Sequence, residues 1–259
     1  MNVNCPRPLT MNANQPVDPS SYNDCHRLFL QSMLTQKIVR EDQALNLYDE
    51  ASKLTGVPRT DFSDFVACIN QGINEIDLAL KRSHNERNGV PVIALVNTLD
   101  DEISQMATEY SPSTIMYFRQ LAENIITAED EDYAISSMEA IRLGQKMTPA
   151  LTQKETQDLL DRLVADGWLF CTRQGAYVME TRTVLELNVY FKEQYGEYMK
   201  ECQFCLDVVT MGERCESVDC PVRIHRHCAE RYFREQPNST CPLCGTMWSH
   251  LNTFGLGLS

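Results

Sequence analysis

Eight soft metal donors lie between Cys202 and Cys244 in four close pairs, and no other feature of the 259-residue chain narrows its fold as much. Two residues separate Cys202 from Cys205, four separate Cys215 from Cys220, two separate His225 from Cys228, and two separate Cys241 from Cys244. Thiolates and an imidazole at such spacings suit tetrahedral Zn2+. Eight donors fill two closed sites and leave no coordination position for a substrate. A disulfide cluster would leave the repeated spacing and the matching histidine without a reason. A stretch of about forty residues cannot enclose either site with a hydrophobic core. The metals must therefore supply the folding energy, on the order of 10–16 kcal/mol per structural zinc. His227 is the one competing donor. It is adjacent to Cys228 and could not easily share a tetrahedron with it, so His225 is the expected ligand.

The remaining cysteines, Cys5, Cys25, Cys68 and Cys171, are scattered, and the total of eleven is odd. This pattern fits a reducing compartment, cytosolic or nuclear, with the scattered thiols as small apolar residues. The first residues are polar and hold no apolar core of a signal peptide, and no apolar run approaches the length of a membrane span. The net charge of −13 is unevenly placed: from Lys200 onward there are six Lys/Arg against seven Asp/Glu, which leaves 17 basic and 29 acidic residues before it. So acidic a surface repels nucleic-acid phosphates and favours a basic protein partner, or it serves solubility alone.

In chain order, residues 1–21 are rich in Asn, Pro and Ser and are expected as a disordered tail. Asn23 or Asp24 can cap a helix with Cys25, Leu28, Phe29 and Met33 on one face. A second helix is expected from about Arg40 to Leu54, stopped by Gly56 and Pro58. A third carries Phe62, Phe65, Val66, Ile69 and Ile73. The period then changes to alternation at Ile76, Leu78 and Leu80, and a polar loop through Asn88-Gly89 leads to the apolar run Val90–Val96. This predicts a hairpin with a long, mobile tip. Ile103, Met106, Ala107 and Tyr110 suggest a closing helix.

The same order recurs. Ser111-Pro112 opens a helix with Ile115, Phe118, Leu121, Ala122, Ile125 and Ile126 on its inner stripe. The run Glu129-Asp130-Glu131-Asp132 is expected as a solvated loop. A helix with Ile135, Met138, Ile141 and Leu143 ends at Gly144. Another, with Thr152 and Glu155 in capping-box spacing, ends at Gly167. Trp168–Cys171 and Ala176–Met179 then pair around Gln174-Gly175. Val184, Leu185, Leu187, Val189, Tyr190 and Phe191 continue as one helix into the metal stretch. Three helices followed by a two-stranded ribbon is the element order of a winged helix. The expected class is α+β multidomain: winged-helix domains at 22–110 and 111–198, a two-zinc domain at 199–248 and a short tail at 249–259. The charges Lys154, Glu155, Asp158, Asp161 and Arg162 on the last third helix balance. The first hairpin sets Lys81, Arg82 and Arg87 beside Glu86. Neither makes an electrostatic footprint for DNA, so protein docking is the expected use of these domains. His26, His84 and His250 stand isolated in the sequence.

The four pairs can be assigned sequentially, neighbour with neighbour. They can also interleave, with Cys202, Cys205, His225 and Cys228 in one site and Cys215, Cys220, Cys241 and Cys244 in the other. The order of ligands resembles the RING and PHD families, both of which interleave. Cys241-Pro242-Leu243-Cys244 looks like a RING, and a PHD finger would carry an aromatic where Ser239 stands. The RING resemblance implies that Phe204, Tyr232, Pro242 and Leu243 face a ubiquitin-conjugating enzyme. Phe204 and Tyr232 could instead merely cover the zinc sites. The wide Cys215–Cys220 pair, and Gly245 where active RINGs often keep a basic residue, imply weak activity alone.

Tandem winged helices before a variant RING, with Val92–Asn97 in the first hairpin and Asp166-Gly167-Trp168-Leu169 after the last helix, resemble the non-SMC element one family of the Smc five/six complex over roughly residues 22–250. The resemblance implies a nuclear, chromosome-associated ubiquitin-ligase subunit in DNA repair and recombination. Its partners would be a MAGE-type subunit and a kleisin subunit, and its cofactors two structural zinc ions. It implies no catalytic residue. The alternative is a non-catalytic subunit whose zinc domain stabilises the complex.

Overall fold

Local signals in the N-terminal third fold as helix, strand, helix, helix and hairpin. The structure is a computed structural model that describes residues 21–98, 110–234 and 239–256. Helix α1 (Asp24–Gln36) is capped by Asn23, whose side chain accepts from Cys25 N while the Asn23 amide donates to His26 Nδ1. Strand β1 (Ile38–Arg40) follows, then α2 (Glu41–Thr55), which ends at Gly56 in the left-handed region, φ 69°. Helix α3 (Phe62–Ile73) leads to β2 (Leu78–His84) and β3 (Pro91–Asn97). The sheet order is β1-β3-β2, all antiparallel. The three-residue β1 is too short to show alternation, which is why the sequence predicts only a two-stranded ribbon. The closing helix expected around Ile103, Met106 and Ala107 falls outside the described residues, as do residues 1–20 of the expected tail.

This unit has its own core. Phe65 is 2% exposed, stacks on Tyr48 at 3.9 Å and meets Phe29 edge-on at 5.3 Å. Phe65→Ala should cost about 3–5 kcal/mol through lost burial and a residual cavity, read as a lowered urea midpoint with an unchanged slope.

The second unit repeats the order with α4 (Pro112–Ile126), β4 (Ala134–Ser136), α5 (Ser137–Gln145), α6 (Gln153–Ala165), β5 (Leu169–Cys171) and β6 (Ala176–Met179). Its sheet is again three-stranded, β4-β6-β5. The capping box of α6 forms as the spacing predicts: Thr152 N donates to Glu155 Oε2 at 2.8 Å and Glu155 N to Thr152 Oγ1 at 3.2 Å. Ile135 lies in β4 and not in a helix. Helix α5 ends at Gln145, one residue past the expected Gly144, and a Cβ at Gly144 would clash with Thr156 Oγ1, so this glycine also lets α5 and α6 approach. The single helix expected after β6 breaks at Leu187 into α7 (Thr181–Glu186) and α8 (Asn188–Tyr195).

The C-terminal module holds β7 (Gly212–Arg214), β8 (Arg223–Ile224), α9 (Arg226–Phe233) and β9 (Thr253–Phe254), with sheet order β8-β7-β9. Residues 253–254, expected in a tail, pair with β7 instead, and Phe254 is buried against Tyr133. One apolar cluster runs from Tyr110 to Phe254, so the second unit and the zinc module share a core across residue 199.

Two charged segments expected in solvent are docked. In the run 129–132, Glu131 takes Arg223 through two bonds, at 2.5 and 2.9 Å, and Asp130 pairs with Arg214 at 2.9 Å. The tip of the first hairpin, expected to be mobile, is docked. Arg87 binds both carboxylate oxygens of Glu180, at 2.9 and 3.0 Å, and lies 3.8 Å over the Phe170 ring. These partners are far apart in sequence, so no local pattern could report them. Among the described residues no helix is long and apolar enough to cross a membrane.

Candidate metal centre and its surroundings

The chain resolves its eight donors by turning back between pairs. Cys202 and Cys205 bracket a tight knuckle in which Leu206 N donates to Cys202 O at 2.9 Å. Cys241 and Cys244 bracket a second knuckle, where Gly245 N donates to Cys241 O at 3.0 Å. The residue after each knuckle is left-handed: Leu206 at φ 63° and Gly245 at φ 73°. Glycine meets that conformation without strain, which any basic residue at Gly245 would incur. Strand β7 ends at Arg214 just before Cys215, β8 lies between Cys220 and His225, His225 immediately precedes α9, and Cys228 sits in the first turn of that helix.

Two clusters result. Cys202, Cys205, His225 and Cys228 form one; Cys215, Cys220, Cys241 and Cys244 form the other, and in each the donor atoms all lie within 4.8 Å of one another. The interleaved assignment is therefore the one the fold makes. Cys205 Sγ lies 3.3 Å from His225 Nδ1, Cys215 Sγ 3.4 Å from Cys244 Sγ, and Cys220 Sγ 3.7 Å from Cys241 Sγ. Edges of a tetrahedral zinc site with ordinary Zn–S and Zn–N bonds are about 3.5–3.8 Å. The donor sets thus fit two zinc ions, one in a mixed site of three thiolates and an imidazole, the other in an all-cysteine site.

The protons on these groups are distributed unevenly. Hydrogen bonds from Cys205 and Cys228 hold the Cys202 thiol well below its usual range, while hydrogen bonding to Cys202 and Cys205 pushes Cys228 far above it. In the second cluster burial pushes Cys215 up to about 12, and hydrogen bonding with Thr246 brings Cys244 down to about 6. Zinc takes the place of the shared protons, so binding releases them.

His227 belongs to neither cluster. It stacks between His84, at 4.3 Å, and His225, at 5.0 Å, and burial with these neighbouring rings lowers it to about 4. The histidines expected as isolated are thus partnered: His84 by His227, His26 by Phe65 at 4.4 Å, and His250 by Glu213 through Nδ1 at 2.8 Å. Glu213 is buried and also accepts from Trp248 Nε1 at 2.6 Å, closing the module under the Phe233–Trp248 stack. Glu213 had no signal in the sequence, because its partners come from a segment more than thirty residues away.

Phe204 and Tyr232 are brought together, with rings stacked at 4.2 Å, and both are half-buried on the module's core. Pro242 is exposed on the second knuckle, and Leu243 beside it is 62% exposed.

The chain's relatives agree with this architecture. The family model described as "Nse1 non-SMC component of SMC5-6 complex" matches residues 26–187, more than half of the chain. The chain belongs to the Nse1 family. A second family model, "RING-like domain", matches residues 202–244 of this Nse1-family chain, the span of its eight donors. A Homo sapiens relative, "Non-structural maintenance of chromosomes element 1 homolog", is 30% identical over 88% of this chain and 85% of its own length. A Xenopus laevis relative of the same description is 29% identical over 88% of this chain and 84% of its own length. A solved chain from a structure described as "Nse1-Nse3-Nse4 complex" superposes with a TM-score of 0.78 at 28% identity, covering 88% of this chain and 98% of that one.

Proposed function

We propose that the chain is a RING-type ubiquitin-ligase subunit of the Smc five/six complex, docking a MAGE-type partner and a kleisin subunit through its N-terminal units. The observation that carries the ligase reading is the stacked Phe204–Tyr232 pair on the interleaved zinc module, with Leu243 exposed on the second knuckle. Apolar side chains held rigid and half-open by a metal scaffold are what a conjugating enzyme needs as an anchor. The N-terminal units are read as winged helices at 22–110 and 111–198. Support comes from their shared helix–strand–helix–helix–hairpin order. The zinc module starts at 199 and, with β9, reaches about residue 256.

In this reading the protein makes and breaks no bonds itself. A substrate lysine amine attacks the thioester carbonyl of the charged conjugating enzyme, and the enzyme's thiolate leaves. The module contributes proximity and orientation, and the zinc ions are structural. Gly245, left-handed and without a side chain, offers no cation to hold ubiquitin, which supports dependence on a partner. Membership of the family supports a nuclear, chromosome-associated role in DNA repair and recombination. The acidic N-terminal units favour protein docking over DNA binding by this chain alone.

The test is ubiquitin transfer by the full chain with its MAGE-type partner across a panel of conjugating enzymes. Phe204→Ala should lower the rate at least tenfold, about 1.4 kcal/mol of lost docking, with both zinc ions retained. If transfer by wild type equals the protein-free background, the chain is the structural subunit of the second reading, which the wide Cys215–Cys220 pair and Gly245 favour. In that case only zinc-ligand substitutions should weaken the complex.

A further inference from the structure

A carboxylate from the first unit touches a zinc ligand. Glu86 lies in the tip between β2 and β3, is 6% exposed, and places Oε1 2.9 Å from His225 Nε2, 139 residues away in sequence. Its other contacts are with Thr210: Oε1 accepts from the Thr210 amide at 2.9 Å and Oε2 from the Thr210 hydroxyl at 2.6 Å. The opposite nitrogen of the imidazole, Nδ1, faces the donor cluster, 3.3 Å from Cys205 Sγ. A neutral histidine that ligates through Nδ1 must carry its proton on Nε2. That N–H then has two acceptors within reach, Glu86 Oε1 and Val208 O at 3.0 Å.

A buried carboxylate is costly unless hydrogen bonds and nearby positive charge offset it. Two donors from Thr210 do part of this, and the imidazole N–H does the rest. Metal ligation through Nδ1 polarises that N–H and strengthens its bond to the carboxylate. The carboxylate in turn fixes the tautomer and ring orientation and raises the basicity of the ligating nitrogen. The tip is held from its other side as well, by Arg87 on Glu180 and Phe170. His84, at the end of β2, stacks on His227, whose ring also stacks on His225.

We propose that Glu86 positions His225 as a zinc ligand from outside the coordination sphere, so that zinc binding at the mixed site and docking of the first unit's hairpin onto the zinc module are one linked equilibrium. By reciprocity, whatever loosens the hairpin weakens this zinc, and loss of this zinc loosens the hairpin. The all-cysteine site has no contact of this kind among the described residues, so only one of the two metals reports the position of the first unit. This linkage does not depend on ligase activity and stands or falls separately from it.

The test uses the full chain and two metals as probes. Zinc affinity is measured by competition with a chelator, and the protein loaded with cadmium-113 is observed by NMR, where the mixed and all-cysteine sites give separate resonances. Glu86→Gln keeps the size of the side chain and removes its charge. It should weaken the mixed site by about 10–100-fold, shift its resonance, leave the all-cysteine site unchanged and speed amide exchange in residues 85–90. Arg87→Ala frees the tip without touching His225 and should weaken the mixed site alone, to a smaller degree. The proposal is overturned if Glu86→Gln leaves the affinity and resonance of the mixed site as in wild type, or if it weakens both sites equally, which would mark general loosening. Should Glu86→Gln fail to fold, an unchanged mixed-site affinity in a folded Arg87→Ala variant whose tip exchanges faster overturns it.

Discussion

Cys241→Ser should leave the chain with one zinc ion in place of two and unfold the part of the C-terminal module built around the all-cysteine cluster. Cys241 is 3% exposed in the all-cysteine cluster. Serine shortens the donor and replaces a soft thiolate with a hydroxyl that does not ionise at neutral pH. A structural zinc contributes on the order of 10–16 kcal/mol, as much as the whole stability of an ordinary domain. The module's own apolar residues, among them Val209, Ile224 and Phe233, are too few to replace it. The damage should spread, because the module shares its core with the second unit. Tyr133 of the second unit packs on Phe254 of the module. The expected readings are a halved zinc content, loss of the buried-tryptophan emission of Trp248, and a lowered melting temperature for the second unit. A variant that keeps two zinc ions and the wild-type emission would contradict the cluster assignment.

Arg223→Ala should cost roughly 2–4 kcal/mol without removing either metal. Arg223 is 13% exposed at its side chain and forks onto Glu131, which is 20% exposed, while its Nη1 donates to Cys220 O and Val222 O. Truncation leaves the Glu131 carboxylate with Arg214, at 3.9 Å, as its nearest remaining cation, and takes one donor from each of two carbonyls. The loss is larger than for a surface ion pair because both partners are mostly desolvated. Arg223→Lys should restore little, since a single ammonium cannot reproduce the two-bond fork. Urea unfolding of Arg223→Ala, Glu131→Gln and the double variant should show coupling. Additive losses, or an Arg223→Ala loss under about 1 kcal/mol, would mean that the acidic segment is not docked in solution.

Both predictions concern features that the sequence exposes unequally. The helix starts are legible because a cap and its partner are a few residues apart, as with Asn23 and His26 or Thr152 and Glu155. The three-residue strands β1 and β4 are not, because they carry too few side chains to show a period, and each is recognisable only by its pairing with the last strand of its sheet. Gly144 reads as a stop in sequence, and its second role, the close contact with Thr156, shows only in space. Glu129–Asp132 reads as solvated because its cations, Arg214 and Arg223, are supplied 84–92 residues later.

The sequence by itself determined the eight donors, the choice of His225 over His227, the two zinc ions and the repeated order of helices and hairpins. Each depends on residue types at short, fixed spacings, where local geometry leaves few alternatives. The tertiary structure bore out the interleaved pairing, which the sequence offered through a family resemblance, and alone decided that the acidic run and the first hairpin's tip are docked and that Glu86 lies behind His225. Those contacts join groups across 20 to 139 residues, and which buried charge meets which donor is set by how whole units pack, not by any period along the chain.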